Sequence, residues 1–78
     1  MAIEYQNNTA ILGGFIEVEE AESLLQWVQS HPEGRLDLSA CVHINAACVQ
    51  VLMAAKPRFS AWPADESLAS WLRHILSS

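Results

Sequence analysis

The stretch RLDLSACVHINAACVQVLMAAKP, residues 35–57, decides the fold. Its first five residues alternate polar and apolar side chains, and a period of two predicts a half-buried strand over residues 35–39. After a short loop, Asn45 can cap a helix over residues 46–55, whose only polar side chain is Gln50. A helix this apolar must be largely covered by its neighbours, so the strand and the helix should share one core.

Towards the C terminus, Pro57 ends this helix and a second alternating run begins. Residues 57–63 predict a short strand, and prolines at both of its ends are typical of a strand at the edge of a sheet. Trp62 falls on the polar side of that strand, which makes it a candidate contact residue on the surface. Asp65 can cap a last helix. The apolar stripe of that helix consists of Leu68, Leu72, Ile75 and Leu76.

Towards the N terminus, the sequence predicts a hairpin followed by a helix. Residues 2–6 and 9–12 are the two strands, joined by a tight turn at two asparagines. A glycine pair at residues 13–14 marks the exit from the second strand. From Glu17 the spacing of apolar residues changes to three and four, which predicts a helix that ends before Pro32. The apolar stripe that would face the core consists of Val18, Ala21, Leu25 and Val28. The four glutamates near its start meet the positive end of the helix dipole, so they indicate helix electrostatics and not an acidic catalytic cluster.

The resulting order of elements is β-β-α-β-α-β-α, and right-handed crossovers would make the later strands parallel. The second face of the first, third and fourth strands carries charged and polar side chains, which can remain in water. The sequence therefore predicts an α/β two-layer sandwich, with a four-stranded mixed sheet and three helices packed on one face. At this length, residues 1–78 should form a single domain.

Charge and length exclude several functional classes. The net charge is −5, and four lysines and arginines are too few to form the cationic surface that nucleic acids or anionic membranes require. The apolar runs are shorter than the roughly 20 residues of a membrane span, and the first five residues lack the features of a secretory signal. We expect a cytoplasmic protein without membrane insertion, in which Cys41 and Cys48 are reduced, mostly buried thiols.

The sequence predicts no catalytic, cofactor or metal site. Ser39 and His43 lie near Asp37 in the chain, but this proximity does not establish a hydrogen bond between a nucleophile and a base. Cys41, His43 and Cys48 are residue types that bind zinc, yet their spacing matches no standard zinc motif and a fourth ligand is missing. We therefore expect a protein that is not an enzyme.

Residues 36–39 and 42–52, LDLS and VHINAACVQVL, resemble the core motif of STAS domains, the sulfate-transporter and anti-sigma-factor-antagonist family. In that family a strand ending in Asp-Leu-Ser leads through a loop to an Asp-Ser-Ser-Gly turn that opens an apolar helix. The order of elements also fits, although the chain looks like a trimmed version without the last strand and helix of the family. The residues that match the turn are Asn45, Ala46, Ala47 and Cys48, so the phosphorylatable serines of the family are absent.

The resemblance implies a bacterial, non-catalytic regulatory adaptor that binds a protein partner without a phosphorylation switch. The partner would be a regulatory kinase, an anti-sigma-like factor or a transporter ATPase. The first amides of a helix form the positive end of its dipole, so a carboxylate of the partner is favoured there. The predicted partner-binding residues are His43, Asn45, Ala46, Ala47 and Gln50.

Two alternatives stay open. The first is a self-associating structural subunit of a larger complex such as a transporter, for which a homodimer is possible, because a small layer of helices leaves an edge or an apolar patch uncovered. The second is a small thiol or metal enzyme that uses Cys41, His43 and Cys48.

Overall fold

The computed structural model of the chain describes residues 3–76, which form six strands and three α-helices. The elements are β1 (Ile3–Gln6), β2 (Thr9–Leu12), β3 (Gly14–Ile16), α1 (Ala21–Ser30), β4 (Arg35–Asp37), β5 (Cys41–Ile44), α2 (Ala46–Ala55), β6 (Arg58–Ala61) and α3 (Glu66–Leu76). Within this range the longest helix, α3, has 11 residues, and no helix has the length and apolar character needed to cross a membrane.

Four of the strands form the predicted mixed sheet, in the order β1-β2-β4-β6. β1 and β2 are antiparallel, and β4 is parallel both to β2 and to β6. Asn7 in the β1–β2 turn has φ 42°, a left-handed conformation that asparagine tolerates better than most residues. The predicted fold class is confirmed.

A second, small sheet was not predicted. β3 and β5 pair in parallel, with a register shift between Gly14 and Phe15, so the order of elements is β-β-β-α-β-β-α-β-α. The sequence predicts only a glycine exit from β2 and a loop after β4 in these places. Three residues are too few to show a period of two, and the irregular register gives β5 a burial pattern that does not alternate.

The two faces of the four-stranded sheet differ as predicted. Ala10 of β2 lies beside Leu36 of β4, and both side chains are fully buried. The opposite face is polar and carries the exposed side chains of Glu4, Gln6, Arg35, Arg58 and Ser60. The helices cover the apolar face, where α2 contacts both α1 and α3. The largest fully buried side chains are Leu12, Ile16, Leu24, Leu36, Leu38, Leu52, Leu72 and Cys48.

The start of the first helix differs from the prediction. A single 3-10 turn, Val18–Glu20, precedes α1, so the α-helix begins at Ala21 and not at Glu17. A 3-10 turn has three residues per turn, which takes Val18 out of line with the apolar stripe of α1. Val18 is therefore exposed, although the sequence predicts it in the core.

Candidate functional site

The structure brings the five predicted partner-binding residues together, because β5 leads directly into α2. His43 is in β5, Asn45 is the residue before α2, Ala46 and Ala47 are in its first turn, and Gln50 is one turn later. His43, Ala46 and Gln50 are exposed, whereas Asn45 and Ala47 are half-buried. Ala46 is thus accessible to a partner, as its predicted role in binding requires.

Asn45 fixes the start of α2. Its side-chain Oδ1 accepts a hydrogen bond from the backbone N–H of Ala47 at 2.8 Å, as predicted for a cap. Its own N–H donates to the carbonyl oxygen of Ile16 at 2.8 Å, which ties the cap to β3. The Ala47 amide is therefore already bonded within the chain. This leaves fewer free amide donors for a partner carboxylate at the start of α2.

Two large apolar side chains are exposed beside the start of α2. Phe15 in β3 is 60% exposed and Val42 in β5 is 59% exposed. The ring of Phe15 lies 6.0 Å from the ring of His43, measured between centroids. We call Phe15, Val42 and His43 the β3–β5 patch. The sequence analysis did not predict the exposure of Phe15 and Val42. Neighbouring residues of an extended strand point to opposite sides, so Phe15 faces outward because Ile16, the next residue, is fully buried.

The two cysteines lie beneath this surface as free, buried thiols. The Sγ of Cys41 donates to the carbonyl oxygen of His43 at 3.6 Å, and the Sγ of Cys48 donates to that of Glu17 at 3.3 Å. Burial raises the pKa of both thiols, and nearby glutamates raise the pKa of Cys48 further. A neutral thiol is a poor nucleophile. Among residues 3–76, no three His, Cys, Asp or Glu side chains are grouped so that they could hold a metal ion.

Asp37 and Ser39 hold the turn between β4 and β5. The backbone N–H and the hydroxyl of Ser39 both donate to Oδ1 of Asp37, at 2.9 and 2.7 Å. Both hydrogen bonds lower the pKa of the Asp37 carboxyl, and the bond from the Ser39 hydroxyl has the larger effect. Because the Ser39 hydroxyl donates to a carboxylate and not to an imidazole, this pair stabilises a turn and does not form the start of a triad.

A separate groove lies between the end of α2, β6 and α3. It has a volume of about 820 Å³. We call it the α2–α3 groove. Its lining residues are Leu52, Lys56, Pro57, Phe59, Trp62, Arg73 and Leu76. Trp62 is half-buried and stacks on Phe59 with 4.6 Å between ring centroids. The prediction of an outward-facing Trp62 was wrong, because β6 ends at Ala61 and the next residue no longer follows the alternation of the strand.

No protein-family model matches the chain, and neither a curated protein nor a solved structure shows significant similarity to it.

Proposed function

We propose that this chain is a non-catalytic adaptor of the STAS type, which binds a protein partner through the start of α2 and the β3–β5 patch. The observation that carries the proposal is the exposure of Phe15 and Val42 next to the exposed first turn of α2. Large apolar side chains that are exposed on two paired strands are typical of interaction sites. Within so small a domain, such side chains would otherwise contribute to the core.

The composition of this surface suits a protein partner. Phe15 and Val42 would form an apolar centre, and His43 and Gln50 would form a polar rim, which is the usual anatomy of a protein interface. Ala46 is small and exposed, so a partner can approach the helix start closely. The positive end of the α2 dipole favours an acidic side chain of the partner at this point.

The resemblance suggests the class of partner and the mode of regulation. A bacterial regulatory kinase, an anti-sigma-like factor or a transporter ATPase in the cytoplasm is the proposed partner. The positions that match the phosphorylated turn of the family are Asn45, Ala46 and Ala47, none of which can be phosphorylated on a hydroxyl. Binding would therefore be constitutive. The raised pKa of the two buried thiols favours this adaptor role over a thiol enzyme.

The test compares two identical substitutions on the same helix. Ala46→Arg places a bulky cation in the proposed interface, whereas Ala54→Arg places it on an exposed position of the last turn of α2. Both variants should remain folded, although a cation opposes the helix dipole at Ala46 and complements it at Ala54. We therefore expect Ala46→Arg to lose, and Ala54→Arg to gain, about 0.3 to 1 kcal/mol of stability, which the melting temperatures check. We expect Ala46→Arg to lose a partner that the parent and Ala54→Arg both retain in affinity capture.

A second variant tests the apolar centre. Phe15→Ser should weaken binding of the same purified partner by about tenfold or more, the change expected for removal of an anchoring aromatic side chain. Full binding by folded Ala46→Arg and Phe15→Ser proteins would refute the proposal. Light scattering on the same samples addresses self-association, because a dimer that Ala46→Arg converts to a monomer would favour the structural subunit instead.

A further inference from the structure

The α2–α3 groove combines an apolar floor with a cationic rim. Its volume of about 820 Å³ lies in the range of small-molecule sites, about 300 to 1,000 Å³. Leu52, Phe59 and Leu76 supply the floor, and Lys56 and Arg73 supply two positive charges. These are two of the four lysines and arginines in a chain whose net charge is −5. The groove therefore differs in charge from most of the molecule.

The ends of two helices also contribute to the field in the groove. Lys56 follows the last residue of α2, and Arg73 is in the last turn of α3. Each helix C terminus carries about half a negative charge, so two cations leave a net charge of about one positive unit. Glu66 lies 3.7 Å from Arg73, but it is 89% exposed, and an ion pair of this kind is weak. A single negative charge would thus match the groove.

The arrangement of the aromatic rings indicates the shape of the ligand. One ring contact of Trp62 is the stacked ring of Phe59, and the guanidinium of Arg73 lies over the Trp62 ring at 5.8 Å from its centroid. Because Trp62 is half-buried and already contacts both neighbours, a planar ligand would compete with these contacts for stacking on its ring. An alkyl chain can instead lie along the aliphatic and aromatic side chains of the floor.

The edge of the sheet beside the groove argues against an extended peptide. β6 is a four-residue strand at the end of the sheet order. Pro57 directly precedes it in the chain, and Pro63 lies two residues after its end. Proline has no N–H to donate, and short, proline-flanked edges resist the addition of another strand. We infer that the α2–α3 groove binds a small amphipathic monocarboxylate with an alkyl chain, of the medium-chain fatty-acid class.

The experiment is a titration of isotope-labelled protein with octanoate, followed by amide NMR shifts, with octan-1-ol as the uncharged probe of equal chain length. We expect saturable shifts around Lys56 and Phe59, and octanoate should bind about five- to tenfold more tightly than the alcohol. Lys56→Gln and Arg73→Gln should each weaken octanoate binding by about two- to fivefold. The melting temperature of each variant is measured alongside.

The matched control is Arg35→Gln, which removes the same charge from the exposed polar face of the sheet. It should bind octanoate as the parent does. Arg73→Gln could fail to fold because it loses the contact with Trp62. In that case the Lys56→Gln variant tests the inference, because Lys56 is exposed and its replacement should leave the fold intact. The inference is overturned if no saturable shift appears below about 10 mM, if the alcohol binds equally well, or if Arg35→Gln weakens binding as much as Lys56→Gln.

Discussion

Replacing Gly34 with alanine should destabilise the protein, although the same change in an ordinary loop has the opposite effect. Gly34 precedes β4 and does not have a positive φ, so its conformation is open to other residues. In such positions Gly→Ala stabilises by about 0.4 to 1 kcal/mol, because the unfolded chain loses conformational freedom. At Gly34, however, an added Cβ would lie 2.6 Å from Cη2 and 2.9 Å from Cζ3 of Trp27.

The ring of Trp27 has little room to move away. It is only 9% exposed, and it stacks on His31 with 4.5 Å between ring centroids. The ring of Tyr5 lies 5.7 Å from it, and the added Cβ would also meet the Cβ of His31 at 3.0 Å. Overpacking of this kind costs about 1 to 3 kcal/mol. The cost exceeds the gain from the unfolded state, so the net destabilisation should be about 1 kcal/mol.

Thermal and urea unfolding followed by circular dichroism measure this change. For a domain of this size, a loss of 1 kcal/mol lowers the melting temperature by about 4 to 8 °C. A double-mutant cycle with Trp27→Phe identifies the cause, because the smaller ring leaves space for the new Cβ. Gly34→Ala should cost less in the Trp27→Phe background by about 1 kcal/mol. A melting temperature for Gly34→Ala at or above that of the parent would refute the reasoning.

Three further predictions concern the core, a turn and the thiols. Leu72 is fully buried, so Leu72→Ala should lower the free energy of unfolding, measured by urea denaturation, by about 2 to 5 kcal/mol. Trp71→Ala, on the exposed side of α3, should cost far less. Equal losses in the two variants would contradict the docking of α3. Ser39→Ala should raise the pKa of the Asp37 carboxyl towards its ordinary value, as measured by NMR titration. Because that pKa is lowered in the folded protein, the Asp37 hydrogen bonds stabilise the fold at pH values above the ordinary carboxyl pKa. This stabilisation is lost as the pH falls through the lowered pKa of the folded protein. An unchanged Asp37 titration in Ser39→Ala would contradict this account. Both cysteine thiols should react slowly with a disulfide reagent at neutral pH and rapidly in urea, since burial raises their pKa, and rapid reaction of the folded protein would show that the thiols are accessible.

Local chemistry made two of the helices predictable. The sequence predicts a helix over residues 46–55 because Asn45 can cap it and Pro57 cannot continue it, and α2 has these bounds. Asp65 caps α3 as predicted, since its Oδ1 accepts from the N–H groups of Ser67 and Leu68 at 2.8 and 3.2 Å. In both cases the deciding interactions join residues two or three apart. A sequence displays such interactions directly.

The candidate surfaces were less predictable because they depend on contacts between distant parts of the chain. Phe15 lies beside His43 only because β3 pairs with β5. In the sequence, 24 residues lie between Ile16 and Cys41. Both strands are short and neither shows a regular alternation, so their pairing could not be predicted. The α2–α3 groove likewise needs β6 and two helices to come together. Patterns of local spacing identified the elements, but they could not identify which exposed side chains become neighbours.

The two proposed surfaces lie at opposite ends of α2, and this separation has a consequence for how they would work together. A helix of ten residues is about 15 Å long, so a partner on Ala46 and a carboxylate near Lys56 need not collide. Between them, Cys48, Val49 and Leu52 are buried and fix the helix against the core. Saturating octanoate should therefore leave partner capture unchanged. A change in capture would instead reveal coupling through α2, and linkage would then require the partner to change octanoate affinity by the same factor.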